Sequence, residues 1–271
     1  MRITQAKVSG SIGFKDILLK KYGFVNYFDR NKPVIFFGCY NKTDLAYISR
    51  HKSLAIIIWR GTDATKLHTK EFIPIRKNKN LKHIVISNFL AKDLDNFGIP
   101  YTLLPVSATD VDKFNPVPLG KNIYIYGVNY KPEVYNKKLV CLVQKKINSI
   151  FNDIDFVYGH FSLDKSLIKK YPNSIHSKSS MPEIYSKCFM GLRLTKHDGL
   201  SNTVLEMGLM GRRCVWNGGT PSGIPWGTID DIINAVVEEK KLIGVTNLKL
   251  HEDVKKYLDI GDNWKDTDFY G

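Results

Sequence analysis

Long apolar runs are missing from this sequence of 271 residues. The longest extends from Leu54 to Trp59, which suits a strand and falls far short of the roughly 20 residues of a membrane-spanning helix. The N-terminal segment also lacks the apolar stretch that is typical of a signal peptide. The sequence therefore predicts an intracellular, cytoplasmic protein.

Cysteine is scarce, and the cysteines form no C-x-x-C pair. This spacing excludes a disulfide framework or a zinc site as the basis of the fold, and it predicts four buried, reduced thiols. Acidic Asp-x-Asp triplets of a kind that can bind a metal do occur. They stand in four unrelated contexts, so we expect no metal site: 93–95, 110–112, 153–155 and 266–268.

Acidic residues are few relative to basic ones. The sequence has 40 Lys and Arg against 26 Asp and Glu, a formal charge of +14. Residues 1–115 hold 19 of the basic and 9 of the acidic residues, so the excess lies mostly in the first part of the chain. Such a field favours an anionic partner, namely nucleic acid, a membrane surface or an acidic glycan. A basic surface without any partner is the open alternative.

Short apolar runs alternate with amphipathic stretches along most of the chain, which predicts an α/β protein with parallel sheets. Three prolines and a glycine in 105–121 indicate a linker, and 66–82 reads as a loop or irregular element. We therefore predict an N-terminal domain at 1–115, a second domain at 116–247, and a tail at 248–271 that packs back on the first domain. Strands are predicted at 2–8, 34–38, 54–59, 83–87, 101–105, 122–127, 155–158, 189–194 and 214–216, and helices at 14–22, 42–50, 88–97, 132–148, 182–188, 202–210 and 230–241.

The segment Phe189–Gly211 carries the strongest chemical signal. A strand is followed by a polar turn, by Ser201 at a helix N-cap position, and by a helix from Asn202. The amides of such a helix start bind phosphate, and Glu206 could accept hydrogen bonds from two ribose hydroxyls. Arg193 and Lys196 could face a diphosphate. An ordinary strand–turn–helix with a good N-cap remains the alternative from these residues alone.

The motif Asp198-Gly-Leu-Ser-Asn-Thr-Val-Leu-Glu206 resembles the donor-binding signature of family 4 glycosyltransferases. The likeness extends over most of 54–245, including 85–100, 104–116 and Trp59-Arg-Gly-Thr-Asp63. It implies a GT-B fold with two Rossmann-like domains facing across a cleft. The same set of segments also resembles small glycosyltransferases encoded by phages and other viruses. That resemblance would place the protein in the host cytoplasm. The activity implied is that of a metal-independent, retaining hexosyl- or pentosyltransferase that takes a UDP-sugar as co-substrate and needs no other cofactor.

The resemblance also implies roles for single residues. Three departures from the family concern the phosphate clamp and the first domain. Glu133 stands near an expected Lys, Arg60 stands where many relatives have His, and the first domain is shorter than usual. The residues with an implied catalytic role are Asp63, Arg193 and Asp198. The residues expected at the donor are Lys196, Gly199, Leu200, Ser201, Asn202, Thr203 and Glu206.

The acceptor side is expected in the first domain. Gly10 and Gly13 follow the first strand as a glycine loop or a plain turn, and a basic run follows Arg60 in the chain. The residues expected there are Gly10, Gly13, Arg60, Arg76, Lys77 and Lys79. The charge predicts an anionic acceptor, with a hydroxymethyl-pyrimidine in DNA as the first hypothesis and a glycan or lipid-linked saccharide as the alternative. A nucleotide-sugar epimerase and a non-catalytic binding module are the alternatives from other classes.

Overall fold

The computed structural model describes residues 3–78, 80–127, 133–159, 174–175 and 181–262. The chain divides into two compact units. Unit 1 comprises Met1–Ala108, His197–Leu200 and Leu258–Gly271, and unit 2 comprises Thr109–Lys196 and Ser201–Tyr257. The chain thus passes from unit 1 to unit 2 after Ala108, ahead of the predicted bound at 115, and the segment from Leu258 groups with unit 1.

Unit 1 contains a parallel six-stranded sheet in the order β2-β1-β3-β4-β5-β6. Its middle strands are apolar throughout and fully buried, as expected for a parallel sheet that is covered on both faces. The strands are β1 Gln5–Val8, β2 Val25–Asn26, β3 Val34–Phe37, β4 Ala55–Trp59, β5 Leu81–Val85 and β6 Thr102–Leu103. The five predicted strands are confirmed with shifted ends. The sequence did not indicate β2, because its two residues are both exposed and carry no apolar pattern.

The helices of unit 1 connect these strands. They are α1 Lys15–Lys21, α2 Lys42–Arg50, α3 Ile73–Lys77 and α4 Asn88–Asp95. Asn41 caps α2 by accepting a hydrogen bond from the amide of Asp44, so this helix has the predicted bounds. The prediction that 66–82 is irregular is wrong. That stretch contains part of a 3₁₀ helix at Ala64–His68, a second at Lys70–Phe72, α3, and the start of β5.

Unit 2 also contains a parallel six-stranded sheet, in the order β12-β11-β10-β7-β8-β9. Its core is formed by the apolar faces of the sheet and of the helices that cover it. The strands are β7 Asn122–Tyr126, β8 Phe156–Gly159, β9 Ser174–Ile175, β10 Cys188–Leu192, β11 Arg213–Val215 and β12 Gly223–Ile224. The helices are α5 Lys137–Ile150, α6 Met181–Ser186, α7 Asn202–Leu209 and α8 Ile229–Lys240. A further helix, α9 Leu248–Asp262, belongs to unit 2 up to Tyr257 and to unit 1 from Leu258.

The predicted elements of unit 2 are confirmed with small shifts of their ends. The exception is the start of the helix predicted at 132–148, because α5 begins at Lys137 and residues 128–132 lie outside the described part of the chain. The strand β12 was not predicted, since it comprises only Gly223 and Ile224. The prediction of four buried thiols is wrong for Cys141, which is exposed on α5, and right for the other three cysteines.

A buried guanidinium connects several segments of unit 2. Arg212 is fully buried, and no carboxylate pairs with it among the described residues. It donates instead to backbone carbonyls, which satisfy its donors without a second charge. The acceptors are the carbonyls of Val117, Pro118, Tyr185, Ser186, Cys188 and Met210. Arg212 therefore ties the segment before β7 to the end of α6 and to the end of α7.

No helix in the described part of the chain is long and apolar enough to cross a membrane.

Candidate functional site

The start of α7 has the geometry that the sequence predicts. Ser201 is extended, with φ −75° and ψ 111°, and its hydroxyl accepts a hydrogen bond from the amide of Val204 at 3.3 Å. This N-cap uses one of the amides that a helix start leaves without a helical partner. The amides of Asn202 and Thr203 belong to the same first turn. Such a turn, together with the helix dipole, favours an anion.

Glu206 lies on α7 in a half-buried cluster. Its Oε2 accepts a hydrogen bond of 2.8 Å from the hydroxyl of Tyr185. Burial raises the pKa of Glu206 to about 7, although the Tyr185 hydrogen bond and the charges of Lys113 and Arg193 lower it. The carboxyl group thus accepts a hydrogen bond from a neutral donor, and the charges of Lys113 and Arg193 act on it.

Tyr185 is itself fixed within unit 2. Its ring is fully buried and meets the ring of Tyr124 edge to face, with 5.2 Å between the centroids. Its pKa is raised well above the usual value, mainly by burial. Tyr185 is therefore a neutral phenol that donates a hydrogen bond to Glu206. The position of its hydroxyl sets the orientation of the carboxyl group.

Arg193 follows β10 and is stacked on two aromatic rings. Its guanidinium carbon lies 4.7 Å from the centroid of Tyr126 and 5.3 Å from that of Tyr135. Gly127 permits this arrangement, since it adopts φ +67° and a side-chain carbon there would lie 2.6 Å from the Tyr135 ring. The two rings hold the guanidinium by cation–π attraction. Their packing thereby orients the planar guanidinium group of Arg193.

Lys196 is exposed in the segment after β10 and contributes to a cavity of about 680 Å³ in unit 2. The other basic residues of this cavity come from α5, and they are Lys137, Lys138 and Lys145. Glu133, which stands near the expected position of a basic phosphate ligand, also lines it. The cavity is strongly basic and suits an anionic group.

The segment His197–Leu200 is packed in unit 1. Asp198 is half-buried, and its Oδ1 accepts a hydrogen bond from the amide of Gly199 at 2.9 Å. A side-chain carbon on Gly199 would lie 2.1 Å from the carbonyl oxygen of Arg60, so only glycine fits. Leu200 is buried. The Asp-Gly pair of the sequence motif is therefore a closely packed turn.

Asp63 is fully buried in unit 1, and backbone amides surround its carboxyl group. Oδ1 accepts from the amides of Arg60 and Gly61 at 3.1 and 2.8 Å, and Oδ2 accepts from the amide of Cys39 at 3.1 Å. Burial raises its pKa to about 6, opposed by these amides and that of Ala64. The geometry gives Asp63 a structural function in the turn after β4, while a catalytic function for it stays a prediction.

The described residues that were expected at the acceptor each have their own contacts in unit 1. Arg60 donates to the carbonyl of Val106 at 2.7 Å and lies over the Phe14 ring at 5.5 Å. Gly10 and Gly13 have open space where a side-chain carbon would lie, so packing does not require glycine at either position. Arg76 stacks on Phe97, Lys77 is exposed at the end of α3, and Lys79 lies outside the described residues.

Sequence reasoning missed Tyr185, Lys113, Tyr126 and Tyr135 as neighbours of the site. Tyr185 lies 21 positions from Glu206 in sequence, and no local spacing links the two. For Tyr126 there was an indirect signal. The parallel strands β7 and β10 are neighbours, so Tyr126 at the end of β7 lies beside Arg193, which follows β10. In the described residues, no three His, Cys, Asp or Glu side chains are grouped so that they could hold a metal ion.

Comparison of the whole chain with known proteins identifies its fold. No protein-family model and no curated protein matches the sequence. Among solved structures, TarM is 13% identical with a TM-score of 0.63, and the match covers 88% of this chain and 55% of TarM. A sucrose-phosphate synthase from Thermosynechococcus elongatus is 11% identical with a TM-score of 0.60, and the match covers 93% and 76% of the two chains.

A third similar structure is the pneumococcal O-GlcNAc transferase GtfA in complex with UDP and GlcNAc. It is 12% identical with a TM-score of 0.55, and the match covers 88% of this chain and 56% of GtfA. The chain thus spans little more than half the length of TarM and GtfA. Together with the two parallel sheets, these likenesses show that the chain has the GT-B fold of two Rossmann-like domains.

Proposed function

We propose that the protein is a glycosyltransferase that takes its sugar from a nucleotide donor bound through α7. The observation that carries the proposal is Glu206, a half-buried carboxyl group that Tyr185 orients and that lies on the helix whose start is capped by Ser201. A carboxylate there can accept hydrogen bonds from ribose hydroxyls, while the first-turn amides of α7 bind the diphosphate.

The transfer would use electrostatic stabilisation of the leaving diphosphate. Arg193, Lys196 and the start of α7 supply positive potential, and Arg193 is held in place by two rings before the donor arrives. Preorganised donors of this kind lower the barrier because they need little rearrangement as charge develops. Asp198 is proposed to meet the donor sugar. We propose retention of the anomeric configuration and activity without a divalent metal, both implied by the resemblance of the motif 198–206.

We propose a UDP-sugar as the donor. The similar GtfA structure contains UDP and GlcNAc, and a structure of TarM from S. aureus contains UDP and α-GlcNAc-glycerol. Those ligands belong to those proteins. What supports UDP for this chain is the shared fold together with the Glu206 cluster on α7.

For the acceptor, we propose an anionic molecule and a hydroxymethyl-pyrimidine in DNA as the first candidate. The support is the excess of basic residues in 1–115, which include Arg76 and Lys77. Phosphate contacts would make binding to DNA fall steeply with salt. A glycan or a lipid-linked saccharide is the alternative acceptor.

The test is incubation with a panel of nucleotide sugars, with and without hydroxymethylated DNA or an oligosaccharide, followed by mass spectrometry. We expect slow donor hydrolysis without an acceptor and transfer of the sugar to one acceptor class. The variant Glu206→Ala should lose turnover, while the matched control Glu183→Ala, an exposed Glu on α6, should keep it. Interconversion of two nucleotide sugars would indicate an epimerase. Binding without any turnover would indicate a binding module, and either result would contradict the proposal.

A further inference from the structure

A groove on unit 1 combines exposed aromatic rings with arginines and lysines. We call it the aromatic–basic groove, and it has a volume of about 760 Å³. The loop after β2 and one face of α2 form its walls. The residues that the argument uses are Tyr27, Phe28 and Arg30 from the loop and Lys42, Tyr47 and Arg50 from α2. None of them belongs to the donor site or to the acceptor residues expected from the sequence.

The loop that presents Phe28 is fixed from below by a buried amide. Gln5 on β1 is fully buried, and its Nε2 donates to the carbonyls of Asp29 at 2.6 Å and Lys32 at 3.0 Å. Its Oε1 accepts from the amides of Phe28 and Asp29, both at 3.1 Å. One side chain therefore makes four hydrogen bonds to this loop. The Phe28 ring, which is 65% exposed, stands on a backbone that is already ordered.

The tyrosines of the groove are also held in place. The rings of Tyr27 and Tyr47 meet edge to face at 5.6 Å and 87°. The Tyr27 hydroxyl lies 3.3 Å from Nδ1 of His51, whose Nε2 lies 3.3 Å from the carbonyl of Leu54. The carbonyl can only accept, so His51 carries its proton on Nε2 and receives the hydrogen bond of Tyr27 at Nδ1. Tyr47 remains 39% exposed on α2.

Cations surround these rings, and hydrogen-bond donors predominate in the groove. Lys32 lies over the Phe28 ring at 5.4 Å, and Lys7 lies over the Tyr47 ring at 4.8 Å. Arg30 and Arg50 are exposed, whereas Lys42 pairs with Glu71 at 3.2 Å. The one carboxylate of the lining, Asp29, accepts a hydrogen bond from the amide of Asn31. A ligand made of acceptors, such as a chain of phosphates, complements this pattern.

We propose that the aromatic–basic groove binds single-stranded nucleic acid. Unpaired bases would stack on the exposed rings of Phe28 and Tyr47, and phosphates would contact Arg30 and Arg50. Ordered aromatic rings beside a positive groove are the combination that binds unpaired strands with little sequence preference. A duplex already stacks its bases and would use only the cations. A neutral glycan would leave the arginines without acceptors of matching charge.

The experiment measures binding of a fluorescent 15-nucleotide thymidine strand by anisotropy at several salt concentrations, with no donor present. The proposal predicts that Phe28→Leu and Tyr47→Ala each weaken binding roughly five- to a hundredfold and leave the salt dependence unchanged, because stacking releases no counterions. Arg30→Glu with Arg50→Glu should weaken binding and reduce the slope of log K against log salt by about one to two.

The matched control is Lys15→Glu with Lys20→Glu, which makes the same charge change on the exposed side of α1 in the same unit. It should weaken binding much less than the arginine pair. The thermal unfolding temperature of each variant is first shown to equal that of the wild type. If Tyr47→Ala does not fold, Tyr47→Phe replaces it. That variant keeps the ring, so we expect it to bind the strand as the wild type does.

Three results would overturn the proposal. The first is an unchanged affinity of the Phe28→Leu variant. The second is an equal loss in the α1 control, which would mean that any basic surface suffices. The third is tighter binding of linear polyphosphate than of the thymidine strand, which would mean that the groove recognises phosphate alone. The assay contains no nucleotide sugar, so a negative result would not contradict the proposed glycosyltransferase activity. Likewise, a failure of the transferase test would not contradict strand binding in the groove.

Discussion

Asp63 in unit 1 and Glu206 in unit 2 are both carboxyl groups whose burial raises the pKa, to about 6 and about 7. They differ in what surrounds them. The oxygens of Asp63 accept hydrogen bonds from backbone amides on two segments, whereas Glu206 accepts a hydrogen bond from the side chain of Tyr185 within the part of the chain that the structure describes. Asp63 is therefore used to build the turn after β4, and Glu206 keeps acceptor capacity for a ligand.

The same difference separates two arginines within unit 2. The guanidinium of Arg212 donates hydrogen bonds to backbone carbonyls, whereas that of Arg193 is stacked on the rings of Tyr126 and Tyr135. The comparison indicates that a buried charge whose hydrogen bonds go to the backbone stabilises the fold, whereas Glu206 and Arg193, which neighbouring side chains orient, can serve a ligand. Substitutions at these four positions should separate the two functions.

The largest effect is expected at Arg212. Replacing it with Met removes the hydrogen bonds that the guanidinium donates to the carbonyls of Val117, Pro118, Tyr185, Ser186, Cys188 and Met210. We expect the free energy of unfolding to fall by about 3–5 kcal/mol. Denaturant unfolding of Arg212→Met measures this. The control Lys187→Met changes an exposed cation next to β10 and should alter stability by less than about 0.5 kcal/mol. Equal, small effects of both would contradict a structural function for Arg212.

Asp63 should come next. Asp63→Ala leaves the amides of Cys39, Arg60 and Gly61 without acceptors, and we expect a loss of about 2–4 kcal/mol. Asp63→Asn keeps one oxygen and should lose less. Both variants should bind UDP as the wild type does, which calorimetry can check. A stable Asp63→Ala variant that loses turnover would instead support the catalytic function predicted from the sequence.

The titration of Glu206 sharpens the comparison further. Its pKa is raised in the folded protein, so protonation of Glu206 stabilises the fold below about pH 4.5, and this stabilisation is lost as the pH rises through about 7. Glu206→Gln cannot ionise. Between pH 5 and pH 8, wild type should therefore lose about 1–3 kcal/mol of unfolding free energy relative to the variant. Parallel stability curves for the two proteins would contradict the raised pKa.

The smallest effect is expected at Tyr185. Tyr185→Phe removes the hydrogen bond to Glu206 and keeps the buried ring. Because that bond stabilises the carboxylate, its loss should raise the pKa of Glu206 further and weaken UDP binding by about 0.5–1.5 kcal/mol, more at pH 6 than at pH 8. Calorimetry at the two pH values checks this. An equal loss at both would show that Tyr185 does not act through the ionisation of Glu206.

Much of the fold could be predicted from local sequence patterns. Buried parallel strands such as β4 read as short apolar runs, and the N-caps at Asn41 and Ser201 mark the starts of α2 and α7. Short elements such as β2 and β12 carry too few residues to form a pattern. In 66–82, the lack of a clean periodicity suggested a loop, but buried Phe72 and Ile75 anchor short helices there.

The candidate site could be predicted only in part. Ser201 and Glu206 lie in one segment, and their spacing is visible in the sequence. The partners Tyr185 and Tyr126 come from other strands and helices, so only the tertiary fold brings them close. Burial of Asp63 and Arg212 is likewise a property of the packed chain, and a charged residue in sequence gives no sign of it.

The most direct measurement compares the binding of UDP and 2′-deoxy-UDP to wild type and to Glu206→Ala by calorimetry. The account predicts that wild type binds UDP more tightly than the deoxy analogue by about 1–3 kcal/mol, because Glu206 accepts the ribose hydroxyls. It predicts that the variant binds both nucleotides equally and weakly. A folded Glu206→Ala variant that binds UDP as tightly as wild type, or that keeps the preference for UDP, would contradict the account.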